Sequence, residues 1–268
     1  MSTSRIGIVG YGVVGKSQHR LFSDAVTFDV NSTEEDREAI NSCEFVFVCV
    51  PTPIGQDGKC DTSIVEQCID WITAPYIVLR STVAPGTTRR LREKTGKRIV
   101  FQPEYIGETA AHPLADIRAR SFIILGGEPE DRSAVATLYS KHYHSEVRFY
   151  LTDSDTAEVA KYMENCFYAV KVMFCNEFFD IARVHGVDYN ELREIWLADP
   201  RISRDHTFVY PDNRGFSGKC LPKDVSAIIH SCRRHGLEPK LLEAAMDIND
   251  VHRADDKGYE PYRRKSRR

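Results

Sequence analysis

Short apolar runs alternate with helical patterns through the first half of the chain. Residues 5–9 form an apolar run and residues 16–22 a helical pattern; the strand pattern then returns at 25–28, 44–50, 76–80, 98–101, 122–125 and 147–150. The run at 44–50 is apolar almost throughout, as a parallel strand buried on both faces requires. Between the strands there is room for one short helix after Asp29, a helix near 63–72 and another containing Arg89 to Lys94. Alternation of this kind predicts an α/β fold, a Rossmann-like doubly wound parallel sheet over residues 1–150.

The second half changes period. Thr152-Asp153-Ser154 reads as a helix cap, and no Gly or Pro follows until Gly186. Along this stretch Val159, Tyr162, Met163, Phe167, Val170, Met173, Phe174, Phe178, Phe179 and Ile181 wrap most of the circumference. Such a helix is expected to be covered on several sides, between domains or in a homodimer. Further helices are predicted at 189–197, 227–235 and 241–251, with a turn at 199–202. Residues 151–252 thus read as an all-helical segment, and 253–268 as a flexible basic tail ending Arg263-Arg264-Lys265-Ser266-Arg267-Arg268.

Chemistry enters first at Gly10-Tyr11-Gly12-Val13-Val14-Gly15, a G-x-G-x-x-G between a strand and a helix. The first glycine permits the tight turn, the second lets a pyrophosphate approach the backbone, and the third allows close helix packing. The helix N-terminus presents free N–H groups to phosphate. The next strand ends at Asp29, placed to accept from the adenosine ribose hydroxyls, and Val30-Asn31-Ser32 offers no arginine for a 2′-phosphate. The expected cofactor is NAD rather than NADP. Pro51-Thr52-Pro53 and Ser81-Thr82-Val83-Ala84-Pro85-Gly86-Thr87-Thr88 follow strands at the edge where ligands of such sheets bind, although Thr87 or Thr88 could equally cap the next helix.

In Gln102-Pro103-Glu104-Tyr105-Ile106-Gly107-Glu108 the two carboxylates would share a face if the stretch is a helical turn. Lys161 and Asn165 stand four apart on the long helix, where an amine is costly unless it has a partner or a task; a snorkelling lysine is the plainer alternative. In Gly215-Phe216-Ser217-Gly218-Lys219-Cys220-Leu221-Pro222-Lys223-Asp224 a cysteine on a glycine-broken turn is flanked by two lysines, which favour the thiolate. An unreactive surface cysteine fits the decapeptide alone equally well.

Taken together these motifs resemble the UDP-glucose/GDP-mannose dehydrogenase family. The blocks fall in order: Gly10 to Gly15, Val50-Pro51-Thr52-Pro53, Ser81 to Thr88, Pro103 to Glu108, Glu158 with Lys161 and Asn165, Asp199-Pro200-Arg201-Ile202, and Gly218 to Asp224. The Leu-Pro-Lys-Asp ending is similar to the UDP-glucose and GDP-mannose branches more than to the N-acetylhexosamine branch. The resemblance implies a Rossmann domain, a central helical segment that builds a homodimer, and a third, nucleotide-sugar-binding domain that this chain is expected to lack. It implies two successive oxidations of a primary alcohol with two NAD, through a thiohemiacetal and a thioester on Cys220. Lys161 and Asn165 would stabilise developing oxyanion charge, and Asp224, Glu104 and Glu108 would move protons, with Thr82 ordering water or the nicotinamide. Cofactor contacts would come from Gly10 to Gly15, Asp29, Pro51, Thr52, Ser81, Thr82, Glu108 and Lys223. Substrate contacts would come from Glu104, Tyr105, Ile106, Lys161, Asn165, Gly215 and Phe216. The chain departs from the family in the short span from Asp29 to Cys43 and in Ser217, where glycine is common. A two-electron hydroxyacid-type dehydrogenase and a non-catalytic NAD-binding homologue needing a partner remain as alternatives.

Composition narrows the field. Among 268 residues, 36 Lys and Arg face 39 Asp and Glu, so the net charge of -3 argues against nucleic acid as a partner. No apolar run approaches membrane-spanning length and the start carries no signal-peptide pattern, which suggests a cytoplasmic protein without a membrane partner. The eight cysteines include no Cys-x-x-Cys, and His142 and His144 have no cysteine knuckle beside them, so no metal site is expected.

Overall fold

The computed structural model describes residues 4–55, 58–106, 116–259 and 261–262. The chain divides into two compact units, one of residues 1–53 and 61–161, the other of 54–60 and 162–268.

The first unit is built on seven strands: β1 (Ile6–Val9), β2 (Val26–Phe28), β3 (Phe45–Val48), β4 (Tyr76–Leu79), β5 (Ile99–Phe101), β6 (Phe122–Gly126) and β7 (Arg148–Thr152). Their order in the sheet is β2-β1-β3-β4-β5-β6-β7. Strands β1 to β5 are parallel, as expected. The last two depart from the expectation of a wholly parallel sheet: β6 meets β5 antiparallel, through Phe101 and Gly126, and β7 pairs parallel with β6. An antiparallel neighbour needs no helical crossover, and among the described residues between β5 and β6 there is one 3₁₀ turn, Ile117–Ala119.

Both faces of the sheet are covered because alternate strand residues are apolar on both sides. Val46 and Val48 of β3 pack in a layer with Ile40, Val65, Ile69 and Leu91, from α2 (Glu34–Asn41), α3 (Ser63–Trp71) and α4 (Thr87–Thr95). Phe45 and Phe47 face the other layer, with Leu21 of α1 (Val13–Leu21) and Val135 and Leu138 of α5 (Pro129–Ser140). The α/β doubly wound architecture read from the sequence is therefore observed.

The long helix is α6 (Ser154–Val184), capped by Asp153, whose Oδ1 accepts from Thr156 N at 2.8 Å. The sequence places the boundary between the two halves at residue 150, whereas the division falls within α6, after Lys161. The reason is local packing. Ala157 is fully buried in the sheet's core, and a side chain at Gly126 would stand 2.5 Å from the Ala157 Cβ, so the first turns of α6 lie directly on the end of β6.

The second unit contains the rest of α6 with α7 (Tyr189–Trp196), α8 (Leu221–Arg234) and α9 (Lys240–His252). Its core gathers Cys166, Met173, Phe216, Val225, Ile229 and Met246. The helix expected to begin near 227 begins at Leu221, because Pro222 stands in its first turn, where a missing N–H costs nothing. No helix among the described residues is long and apolar enough to cross a membrane.

Candidate active site

The glycine fingerprint has the geometry its spacing requires. Gly10 has φ of +92°, and a side chain on Gly15 would fall 1.9 Å from the Gly10 carbonyl oxygen, so α1 can approach its strand only with glycine there. A Cβ at Gly12 would meet nothing within 4 Å. Gly12 is the N-cap of α1 and no side chain caps that helix, so the amides at its start face open space suited to a pyrophosphate. Asp29 follows β2 and its carboxylate accepts from Tyr11 N at 3.0 Å and Val30 N at 2.8 Å, which locks it beside the glycine turn. The site so formed fits a dinucleotide without a 2′-phosphate, the exposed Val30 following the carboxylate where a cation would be wanted.

At the carboxyl edge, hydroxyls tie the strand ends together. Thr52 Oγ1 donates to Thr82 O at 2.7 Å, and Ser81 Oγ to Val50 O at 2.7 Å. Thr52 and Ser81 are buried and spend these hydroxyls on backbone, while Thr82 keeps part of its side chain exposed. Thr87 and Thr88 lie inside α4 rather than capping it; Gly86 is the N-cap, in the left-handed region, and has no side chain to offer. The cap comes from α6 instead. Glu158, fully buried, accepts from Gly86 N at 2.6 Å and Thr88 N at 2.8 Å. Burial pushes its carboxyl up to about 7, against the pull of those two amides.

Residues 102–106 carry no helical turn. Glu104 is held by the guanidinium groups of Arg80 and Arg120 and by the amides of Tyr105 and Ile106, both at 2.6 Å. Glu108 lies outside the described residues. Lys161, buried on α6, stands over the Tyr105 ring at 4.7 Å, a cation–π contact that compensates part of the lysine's burial.

In the second unit the structure brings Asn165, Lys223 and Asp224 together. Asp224, buried in the first turn of α8, accepts from Asn165 Nδ2 and from Lys223 Nζ, each at 2.5 Å. Cys220 is the N-cap of α8, a position that favours thiolate over thiol. It is exposed, whereas Cys43, Cys49, Cys60, Cys68, Cys166 and Cys175 are buried and Cys232 partly so. Burial pushes Cys49 and Cys166 up to about 12 and Cys68 up to about 11, which removes them as nucleophiles. Phe216 is 4% exposed, with its ring in the helical core and its N–H and C=O both paired with the Asn249 side chain.

Sequence reasoning missed the partners of these groups. Arg80 was visible as a charge closing an otherwise apolar strand. Arg120 carries no such local signal, and Glu158, named with Lys161 and Asn165 in the resemblance, gave no sign of its partners Gly86 and Thr88 on a different element. Among the described residues no cluster of three His, Cys, Asp or Glu is placed to hold a metal ion.

Comparison with known proteins gives the arrangement a context. Residues 18–143 match the model of the UDP-glucose/GDP-mannose dehydrogenase family, NAD binding domain, and residues 155–251 that family's central domain. The chain is 31% identical over 224 residues to the UDP-glucose 6-dehydrogenase of Pseudomonas aeruginosa, a match covering 77% of this chain and 48% of that protein. It is 28% identical over 272 residues to the GDP-mannose 6-dehydrogenase of Pseudomonas savastanoi pv. phaseolicola, covering 93% and 61%. The structure of a UDP-glucose dehydrogenase from Pyrobaculum islandicum superposes with a TM-score of 0.79 at 25% identity, covering 93% of this chain and 68% of that one. The chain spans about half to three fifths of the length of these curated relatives.

Proposed function

The chain belongs to the UDP-glucose/GDP-mannose dehydrogenase family, with NAD as its cofactor, and from that premise we propose that it oxidises the primary hydroxyl of a nucleotide sugar, UDP-glucose or a close relative, to the uronic acid. The observation that carries the reading is the setting of Cys220, the exposed cysteine at the N-terminus of α8, one turn before Asp224.

Bound NAD supplies the hydride acceptor for both oxidations. The first oxidation leaves an aldehyde, and the Cys220 thiolate adds to its carbon to form a thiohemiacetal. Loss of hydride from that carbon gives a thioester, and water then opens it to the acid and the free thiol. Two modest steps replace one difficult one. Lys161 and Asn165 stabilise the negative oxygen of these intermediates. Asp224, oriented by Asn165 and Lys223, is the proton-transfer group for the hydrolytic water. Glu104 is a further candidate for proton transfer, and Thr82 for ordering the water or the nicotinamide. The chemistry needs a reduced thiol, which accords with a cytoplasmic setting. The unit that works is a homodimer joined through α6.

The test is the yield of NADH from NAD with UDP-glucose and with GDP-mannose. Two NADH per sugar are expected, and Cys220→Ser should end acid formation while leaving NAD affinity unchanged. One NADH per sugar would replace this reading with a two-electron dehydrogenase; none with any nucleotide hexose would replace it with a binding protein. Lys161→Ala should lower kcat by about a hundredfold, measured beside NAD affinity, which should stay within about twofold.

A further inference from the structure

The segment that leads into Cys220 is fixed at one residue. Asn249 of α9, fully buried, accepts from Phe216 N through Oδ1 at 2.7 Å and donates through Nδ2 to Phe216 O at 3.0 Å. A side-chain amide that takes both backbone groups of one residue does what a paired strand would do. Gly215 makes room for it: its φ is +79°, and a Cβ there would stand 2.5 Å from Asn249 Oδ1. The residue before is tied to α6. Arg214 donates to Asn176 Oδ1 at 2.6 Å and to Asn176 O at 2.8 Å, and pairs with both oxygens of Asp180 at 3.1 and 2.8 Å.

Beyond Phe216, residues 217–219 are exposed, and Gly218, at φ of +84°, would meet nothing with an added Cβ. Cys220 then enters α8, its carbonyl accepting from Asp224 N at 2.9 Å. Phe216 is therefore the nearest buried residue upstream of the thiol, and Asn249 holds its backbone. The second proton of the Asn249 amide goes to Tyr259 Oη at 3.0 Å, and that hydroxyl donates to Asp250 Oδ1 at 2.8 Å. The amide is thus oriented by a tyrosine on the segment that follows α9.

We propose that Asn249, oriented by Tyr259, is a positioning residue that sets Cys220 at the N-terminus of α8. The assignment rests on the reading of Cys220 as the nucleophile. It explains why an amide is needed at 249: aspartate would still accept from Phe216 N, but it cannot donate to Phe216 O or to Tyr259, and it sets buried charge against a carbonyl.

Thiol reactivity tests this without requiring turnover. Wild type, Asn249→Asp and Tyr259→Phe are alkylated with iodoacetamide from about pH 6 to about pH 9, and Cys220, Cys232 and Cys166 are followed in one digest. Asn249→Asp should slow the alkylation of Cys220 about tenfold near neutrality. Tyr259→Phe, which removes one hydroxyl, should slow it less, with Cys232 and Cys166 unchanged in both. A Cys220 profile equal to wild type in both variants would overturn the assignment. So would a parallel change of all three thiols in Tyr259→Phe, which would make the contact a matter of general stability. Turnover is read separately. If wild type forms NADH, kcat should fall about tenfold in Asn249→Asp with the KM for NAD unchanged. If it forms none while the Cys220 profile still shifts, the dehydrogenase reading fails and the positioning role stands.

Discussion

Glu158 sets a polar requirement inside an apolar layer: a carboxyl with no exposed surface caps a helix that belongs to a different part of the chain. Two forces oppose each other there. Burial favours the neutral acid, while two amides at a helix start favour the anion, and burial wins, placing the carboxyl at about 7 against 4.5 for a free glutamate. The sign for stability follows. A folded-state value above the unfolded one means that the folded protein holds the extra proton, so the contribution is complete below about pH 4.5 and is lost as pH rises through about 7. Wild type should therefore lose thermal stability between about pH 5 and about pH 8, while Glu158→Gln, a neutral mimic of the protonated acid, should show a flatter profile. Thermal unfolding followed by circular dichroism checks this. Parallel curves would mean that the two amides keep Glu158 ionised throughout.

The elements show which features of sequence translate into geometry. At the start of α1 the glycine spacing was legible although the helix begins at Val13, three residues before the predicted pattern: each glycine of the fingerprint answers a separate steric need, and those needs make different predictions. Gly15→Ala puts a methyl 1.9 Å from a carbonyl oxygen and should destabilise the fold by about 3 kcal/mol in denaturant titration. Gly12→Ala meets open space and should leave stability nearly unchanged while weakening NAD binding at least tenfold, which calorimetry with NAD would measure. Less was legible where local pattern carries no sign. The period of a strand does not encode its direction, so the reversal of β6 and β7 could not be read from residues 122–125 or 147–150. Helix α5 went unread because its residues between Pro129 and Ser140 mix small, charged and apolar types without a clean stripe. Helix α8 begins at Leu221 rather than near 227, with Pro222 in its first turn, so Cys220 and Asp224 belong to a helix N-terminus rather than to the glycine-broken turn. The candidate chemical residues stand out in the sequence because their types are costly where they sit; the clamps Arg80, Arg120 and Asn249 do not, because each is defined by a partner remote in sequence.

At the scale of the whole molecule, α6 presents apolar surface that the chain itself leaves uncovered. Tyr162, Cys166, Ala169 and Met173 are buried, but Met163 is 75% exposed and Phe167 59%, and the same face carries exposed Phe174 two turns on, followed by Phe178 and Ile181 at four- and three-residue spacing. Beside its far end a cavity of about 160 Å³ opens between α6 and α7, lined by Phe174, Phe178, Tyr189, Leu192 and Trp196. A contiguous apolar stripe of this length marks an association surface, and burying each such side chain contributes about 1.5–3 kcal/mol. The proposed homodimer would place a second copy of the chain on this stripe, where a two-fold axis across one helix matches the stripe to itself and counts every residue twice. That doubling also sharpens the test. Phe167→Glu introduces two buried charges per dimer, so one substitution should convert a particle of twice 30.5 kDa in sedimentation equilibrium into one of 30.5 kDa. Lys240→Glu, on the start of α9, should leave the mass unchanged and serves as the control. A wild type that sediments as a monomer at all concentrations up to about 100 μM would assign the stripe to some other partner, since a surface of this apolar content should associate with itself well below that concentration.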